Sequence, residues 1–507
     1  MSGLTFTPMD EIPKIIQDLR TTFGSGLTKP LAYRKEQLKG LHNLVVENED
    51  RIREAAYLDL RKPPYELTLG ETGMLKQECV DAIKNLDTWA APRKVSAGLI
   101  ASLDTMHVRK EPFGVVLIIG AWNYPLNLLL VPAVGAIAAG NTVLLKPSEL
   151  SPHTAALITE LLPKYLDSRS YRIINGSVPE TSHVLEHRFD HIFYTGSGHV
   201  GKIIMGAAAK HLTPVTLELG GKSPAFVAKD ANIAVIARRL ASGKFFNCGQ
   251  SCIAPDYVLV ERGVEQELVE HIKKTVLEFY GASVQTSNSY PRIVNKHHFQ
   301  RLKRMLDNSK GQIVLGGDTQ EDDLFIAPTL VNVQEGDSLL EDEIFGPILP
   351  IMVVDSVTKQ GVDYVNQHDQ PLALYVFSEN KKTINHILDN TRSGSAVVND
   401  TMLQFSTTVL PFGGVGPSGI GNYHHQKSFD AFSHERSTLY KSTSLERTND
   451  LRYPPYNQKK VDWATWFMYD NVKYPPNAAN PGATKGKEDE SEPLSDETKD
   501  ASLSSVA

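Results

Sequence analysis

Cysteine is scarce in this chain: three among 507 residues, at Cys79, Cys248 and Cys252. Three thiols cannot build a disulfide framework, and so low a count suits a reducing compartment. An excess of positive charge is missing as well. A net charge of −7 argues against a general nucleic-acid binder, which carries a basic face. The first residues, MSGLTFTPMDEIPK, have neither the basic start nor the apolar core of a secretory signal, and the last, SSVA, match no retention or peroxisomal signal. The expectation is a cytoplasmic protein. From Pro112 to Leu145 charged side chains are absent altogether, over a length that could cross a bilayer. Asn123, Pro125, Asn127, Pro132 and Asn141 punctuate that run, and its parts differ. GVVLII is a β-branched run of strand length, NLLLVPAVGAIAAG has the character of a buried helix, and TVLL is a second strand. A strand–turn–helix–strand unit within a parallel sheet explains the missing charge, because both faces of such a sheet are covered.

What is present is the pattern of a soluble enzyme: 41% apolar and 22% charged residues, in a chain long enough for two or three domains. Residues 8–90 carry apolar positions at helical spacing. Residues 107–210 then alternate strand-like runs (VVLII, TVLL, YRIIN, HIFYTG) with helical ones, which predicts a doubly wound α/β domain. A second alternation, from PVTLELGG to about Asn399, predicts another. The two are expected to meet near Lys210, with a ligand crevice between them. Near the end, Trp463, Trp466, Phe467 and Tyr469 cluster in VDWATWFMYDNV, either to lie on a membrane surface or to form a packed helix. The Pro-, Gly-, Ser- and acid-rich residues from about Pro475 read as a disordered tail.

Several motifs carry chemistry. FYTGSGHVGKII holds most of a P-loop, but Ile203 stands where a magnesium-binding Ser or Thr is needed, which disfavours a nucleoside triphosphatase. What remains is a glycine-rich turn (Gly196, Ser197, Gly201) between a strand and a helix, a place for a pyrophosphate or simply a turn. VLLKPSEL sets Lys146 and Glu149 beyond a strand end, where they can bond ribose hydroxyls or form a solvated loop. VTLELGGKSP puts Glu218 in an apolar strand; a carboxyl so placed is raised in pKa and suits general-base work, unless an arginine pairs with it. GAWNYP offers Asn123 as a donor to an oxyanion or as a turn former. In KFFNCGQSC, Cys248 and Cys252 are too few for a zinc site, and no metal is expected. A disulfide between them would close a tiny loop in a reducing compartment. Either thiol can be a buried structural one, or one can be a nucleophile on a flexible loop.

Taken together these residues resemble the aldehyde dehydrogenase superfamily, most closely its class 3 and fatty-aldehyde branch, over roughly Tyr33 to Pro455. AWNYP, VLLKPSEL, YTGSGHVGK, TLELGGKSP, GQSCIAPDY, DEIFGPILP, PFGGVGPSG and SFDAFSHER occur in the family's order. The resemblance implies an α/β fold with a Rossmann-type cofactor domain (residues 1–210, interrupted at about 88–108), an α/β catalytic domain (211–415), and a small oligomerisation element (416–450, with 88–108). Residues 451–507 hold the aromatic segment and the tail. It implies Cys252 as nucleophile, Glu218 as general base and Asn123 as oxyanion donor. NAD or NADP would meet Trp122, Lys146, Glu149, Gly196, Ser197, Gly201, Leu219, Glu343 and Phe345, and the chain would form a homodimer.

The chemistry so implied is addition of the Cys252 thiolate to an aldehyde, loss of hydride from the thiohemiacetal, and hydrolysis of the thioester with Glu218 activating water. Apolar aldehydes, of fatty or apocarotenoid type, are the expected substrates. A cysteine acyl-hydrolase or transferase would leave KPSE and EIFGP unexplained, and a silent dinucleotide-binding scaffold would normally have lost one of Cys252, Glu218 or Asn123. Three departures stand out: Cys248 beside the nucleophile, Pro291 where glycine is expected, and no apolar anchor of the kind found at the end of fatty-aldehyde members.

Overall fold

The five residues Val115–Ile119 show how the larger part of the amino-terminal half is built. All five are buried, and strand periodicity divides them between two cores. Val115, Leu117 and Ile119 point into one apolar cluster, with Leu144, Ile192 and the helix face Ile12, Ile15, Ile16 and Leu19. Val116 and Ile118 point into the other, with the fully buried helix Asn127–Ala139. A strand covered on both faces needs no polar positions, which is the reason for the charge-free run. At 13 residues, that helix is short of the roughly 20 needed to span a bilayer. No described helix is long and apolar enough to do so.

The structure, a computed structural model, describes residues 3–95, 104–441, 443–444 and 446–468. The tail expected from Pro475, and Tyr469 of the aromatic cluster, lie outside the described residues. The chain divides into two units, Met1–Leu99 with Thr105–Leu439, and Ile100–Asp104 with Tyr440–Ala507. In the first, the amino-terminal helices Ile12–Ser25, Leu31–Glu47, Glu49–Leu60 and Gly73–Ala90 realise the helical spacing of residues 8–90. Between Glu49–Leu60 and Gly73–Ala90 the chain passes through a short helix, Pro64–Leu67, and a π-helical stretch, Thr68–Thr72.

A six-stranded sheet runs Gly419–Ile420, Val215–Glu218, His191–Thr195, Val115–Ile119, Thr142–Lys146, Tyr171–Ile173 across its width. All pairings are parallel except that of Gly419–Ile420 with Val215–Glu218. A seven-stranded sheet is built around Pro224–Val227, Tyr257–Glu261 and Ile348–Val354, with Ala373–Phe377 and Ser395–Val398 toward one edge and Thr329–Val333 and Gln312–Leu315 toward the other. A smaller sheet joins Arg93–Val95, Thr105–Pro112 and Ser433–Tyr440, so the two stretches expected to form a bridging element do share one sheet.

The change from one sheet to the other falls later than the alternation places it. Val215–Glu218, expected to open the second domain, pairs with His191–Thr195 in the first sheet, with Thr216 beside Phe193. Gly419–Ile420, inside the expected bridging stretch, also returns to that sheet. Alternation reveals that a strand exists but not which strand it will pair with, and only the pairing assigns it to a layer.

In the second unit, Lys441 pairs with Asp104 at 3.1 Å. The aromatic stretch is the helix Gln458–Met468, on which Trp466 is 66% exposed.

The buried helix Asn127–Ala139 is crossed by the helix Gln426–Ala431 at Gly135, where an added Cβ would lie 2.6 Å from Ser428 backbone and side-chain atoms. Replacing Gly135 by Ala is expected to destabilise the protein by about 1–3 kcal/mol, as overpacked cores do. Chemical denaturation of the two proteins side by side measures it.

Candidate active site

In a parallel sheet the loops that follow the strands gather at the carboxyl edge. Here Ile119 pairs with Lys146 and Tyr194, and Thr195 pairs with Glu218. The register therefore delivers four functional stretches to one edge: the 120–127 turn, Lys146–Glu149, Gly196–Gly201, and Glu218–Gly221.

Lys146, buried, donates to Glu149 at 2.7 Å. The turn after Thr195 leads into the helix Gly198–Ala209, whose start is capped by the Ser197 hydroxyl accepting from the Val200 amide. Ser197 and Gly198 line a cleft of about 480 Å³, with Gly220, Gly221, Lys222 and Glu343 among its other walls. Gly201 has a packing reason, since a Cβ there would sit 2.9 Å from Leu219. It brings the helix close to the strand carrying Glu218, one of the uses of glycine in dinucleotide folds. Glu343 lies over Gly220, where a Cβ would come within 2.2 Å of its carboxylate. Burial, and Asp256 after it, push the Glu343 carboxyl up to about 8, against the Gly221 amide that donates to it. Phe345 meets the Trp122 ring edge-on at 5.4 Å. Open walls at a capped helix start, next to a lysine and buried carboxyls, suit a dinucleotide's phosphates and hydroxyls.

Glu218 is buried, and neither carboxylate oxygen has a hydrogen-bond partner among the described residues. Its pKa is raised well above the ordinary range by desolvation, the sole cause. Among the described residues no arginine pairs with it to make a structural ion pair. Tyr423, whose hydroxyl is also buried without a partner among the described residues, faces both Glu218 and Cys252 electrostatically.

Cys252 is half-buried at the wall of a cavity of about 130 Å³, where the neighbouring side chains are mainly apolar: Leu69, Tyr124, Leu128, Phe246, Met402 and Phe405. Burial raises its thiol pKa, and Glu343 and Glu218 add to this, while the amides of Cys252 and Ile253 act in the opposite sense. Cys248 is different. It is fully buried, its thiol is pushed up to about 12 by burial, and the Tyr290 hydroxyl partly offsets this by hydrogen bonding. All three cysteines are free thiols.

The backbone between the two cysteines is unusual. Asn247 (φ 50°), Cys248 (φ 55°) and Gly249 (φ 71°) are successively left-handed. Each non-glycine residue so placed costs about 1 kcal/mol or more, which surrounding contacts must offset. The Asn247 amide donates to Glu66 at 2.9 Å, and its side chain donates to the carbonyls of Asn123 and Gln250 at 3.0 and 3.1 Å. Gln250 reaches back to the Asn247 carbonyl at 3.1 Å and across to Arg292 at 2.9 Å, and it accepts from the Val294 amide at 3.0 Å. Gly249 allows close approach to Gly346, since a Cβ there would lie 2.3 Å from that carbonyl oxygen. The turn before Cys252 is thereby seated on the EIFGP segment. Asn123 donates one side-chain N–H to the Gln250 carbonyl at 3.1 Å. A carboxamide carries two such hydrogens.

The structure thus gathers Asn123, Glu218, Cys252 and Glu343 around one site, and places Ser197 on the adjoining cleft. Lys146, Glu149 and Gly196 stand on the same sheet edge but do not line that cleft. Sequence reasoning missed Lys62, Glu66, Glu71, Lys222, Asp256 and Tyr423. Lys222 pairs with Asp256 at 2.5 Å, and Asp256 accepts from the Ile344 amide at 3.0 Å. Lys222 and Asp256 stood within motifs already singled out, TLELGGKSP and GQSCIAPDY, while nothing in the local spacing marks the others.

With this geometry in view, comparison with known proteins is direct. The model of the aldehyde dehydrogenase family matches residues 7–438. The chain is 48% identical over 454 residues to aldehyde dehydrogenase family 3 member A2 of Macaca fascicularis, covering 89% of this chain and 93% of that one. It is 47% identical over 454 residues to family 3 member B1 of Bos taurus, covering 89% and 96%. The substrate-bound structure of Staphylococcus aureus AldH is similar with a TM-score of 0.88 at 40% identity, over 90% of this chain and 99% of that one. The chain belongs to the aldehyde dehydrogenase family. It is an oxidoreductase that oxidises aldehydes to acids with NAD or NADP.

Glu66, which supports the turn before Cys252, is itself raised by burial to about 8 from an ordinary 4.5. A carboxyl raised on folding holds its proton in the native state while the unfolded chain has already lost it. Its contribution to stability is complete below about pH 4.5 and is lost as pH rises through about 8. Denaturation measured at several pH values should show stability falling more steeply over that window in the parent than in Glu66→Gln.

Proposed function

We propose that this aldehyde dehydrogenase acts on medium- and long-chain or other apolar aldehydes, with Cys252 as nucleophile, Asn123 as oxyanion donor and Glu218 as general base. The observation that carries the substrate class is the lining of the Cys252 cavity, dominated by aliphatic and aromatic side chains with Asp400 among its few polar members. An apolar tail gains about 0.8 kcal/mol for each methylene it buries there, while a charged substrate would have to shed its water. Family 3 members are the relatives named at 45–48% identity, which supports the same class.

The chain's residues divide the work as follows. The Cys252 sulfur, once its proton is lost, bonds to the aldehyde carbon, and the carbonyl oxygen becomes an alkoxide. The second Asn123 N–H and the Cys252 amide are the donors suited to hold that charge; such donors act most strongly where water is excluded. NAD or NADP, when bound, would supply the hydride acceptor, and loss of hydride from the same carbon would leave a thioester on Cys252. Lys146 and Glu149 are suited to its ribose, the turn Gly196, Ser197 and Gly201 to its pyrophosphate, and Trp122, Leu219, Glu343 and Phe345 to the remainder. Glu218, desolvated and proton-attracting, takes a proton from the water that attacks the thioester. The acid leaves, and the sulfur is regenerated. Raised in proton affinity by burial, Glu218 is a stronger base in its carboxylate form than a carboxylate in water, and it is that form that takes the proton from the thiol or from water.

The domains follow the sheets in this reading, with cofactor chemistry on the six-stranded sheet and the nucleophile on the seven-stranded half. The reducing interior expected of the cytoplasm agrees with the three free thiols. A homodimer is the proposed assembly. It is supported by the eight-residue strand Ser433–Tyr440 at the edge of its sheet, most of it exposed, because an uncovered strand edge is a template for a second copy.

Two measurements test this. An aldehyde chain-length panel assayed with NAD and with NADP should give reduced nicotinamide, with kcat/KM rising with chain length. Cys252→Ala should abolish that turnover while Cys248→Ala largely retains it. Turnover surviving in Cys252→Ala, or a preference for short polar aldehydes, would overturn the assignment concerned. Sedimentation at micromolar concentration should give twice the chain mass, and a single-chain mass would remove the dimer.

A further inference from the structure

Two buried charges lie well away from the motifs in sequence, Lys62 and Glu71. Both side chains are 0% exposed, and their Nζ and Oε1 atoms are 2.5 Å apart. Lys62 is turned inward by a left-handed residue, Arg61 (φ 50°), that ends the helix Glu49–Leu60. Glu71 belongs to the π-helical stretch Thr68–Thr72; such stretches disturb the helical ladder and are frequent at functional sites. Each partner also holds one end of the turn that carries Asn123. Lys62 donates to the Asn123 carbonyl at 2.8 Å and lies 4.4 Å over the Tyr124 ring. Glu71 accepts from the Leu126 amide at 2.9 Å and the Asn127 amide at 3.4 Å, at the start of the buried helix Asn127–Ala139. Asn127 returns a hydrogen bond to the Gly70 carbonyl at 2.8 Å. The Asn123 carbonyl is further held by Asn247, in the turn before Cys252.

A wholly buried ion pair is weak evidence for stability, because desolvation offsets most of its attraction and an apolar pair often does as well. Here the pair spends its hydrogen bonds on the two ends of one turn. We propose that Lys62 and Glu71 are positioning residues that fix the Asn123 carboxamide relative to Cys252. The amino-terminal helices would then set the geometry of the oxyanion donor without touching substrate. This rests on the reading of Asn123 as that donor.

The test is a double-mutant cycle on the full-length enzyme. The pair is replaced together, Lys62→Met with Glu71→Leu, in the parent and in Asn123→Ala. Measured are kcat and KM for an apolar aldehyde, the dissociation constant of NADPH and NADH by fluorescence, and the melting temperature. Asn123→Ala alone should lower kcat about a hundredfold. The neutral pair should lower kcat about tenfold or more in the parent, with reduced-cofactor binding unchanged. In Asn123→Ala it should change kcat by no more than about twofold. Equal losses in both backgrounds, or no loss in the parent, would overturn the positioning role. If Asn123→Ala loses nothing, the oxyanion assignment itself fails, and that result is distinct. Should the neutral pair not fold, Glu71→Gln, which keeps an acceptor oxygen and the side-chain size, passes through the same cycle under the same criterion.

Discussion

Parallel pairing in the six-stranded sheet is the constraint on which the rest of the site depends. Each strand must be re-entered from the same end, so every crossover helix starts at one edge and every loop leading into it is exposed there. With Ile119 level with Lys146 and Thr195 level with Glu218, four short stretches from distant parts of the chain come together. None of them needs a long or mobile connection to arrive. The seven-stranded sheet then presents Cys252 from a turn seated on the Gly346 backbone, and the cavity and the cleft adjoin two different sides of the same small region.

Dehydration supplies the chemistry that this placement makes available. Glu218, Glu343 and Cys252 all sit where burial favours the neutral form. In water these groups would be a pair of anions and a mostly protonated thiol, fixed in their roles. In the site burial raises the proton affinity of all three, so a carboxylate formed there is a stronger base than one in water. The buried thiol of Cys248 shows the contrast. It feels the same desolvation, but with Tyr290 at its sulfur and no exposed surface it has no route for substrate. Two cysteines four positions apart are thus separated by access rather than by chemistry.

Much of this was legible in the sequence, and for definite reasons. Motif residues such as Asn123, Glu218 and Cys252 lie at strand ends or turns, where local composition marks them out. The run from Pro112 to Leu145 betrayed a doubly covered strand and a helix buried on all sides by having no polar face to show. What could not be read depends on pairing across long separations. Val215–Glu218 looks the same in sequence whichever sheet it joins. Lys62 sits in LRKPPYEL as though it were a surface lysine, and only the left-handed turn at Arg61 and the partner nine residues on send it inward. The left-handed Asn247 and Cys248 are likewise invisible, since neither residue type demands that conformation and the contacts that impose it come from Glu66, Asn123 and Arg292.

The helix Asn127–Ala139 has one further implication, for the order in which the protein can be completed. Its apolar surface is covered in part by Gln426–Ala431, and the Asn141 side chain just beyond it donates to the Phe432 carbonyl. Roughly 290 residues separate that helix from its cover, which at ribosomal speeds of about 5–20 residues per second is a delay of roughly 15 to 60 seconds. Throughout that interval the emerging chain carries a helix that is apolar beyond Asn127, with one side open to water. The six-stranded half, although most of it comes first in the sequence, cannot finish folding first, and its greatest exposure to wrong partners falls before the closing segment has been made.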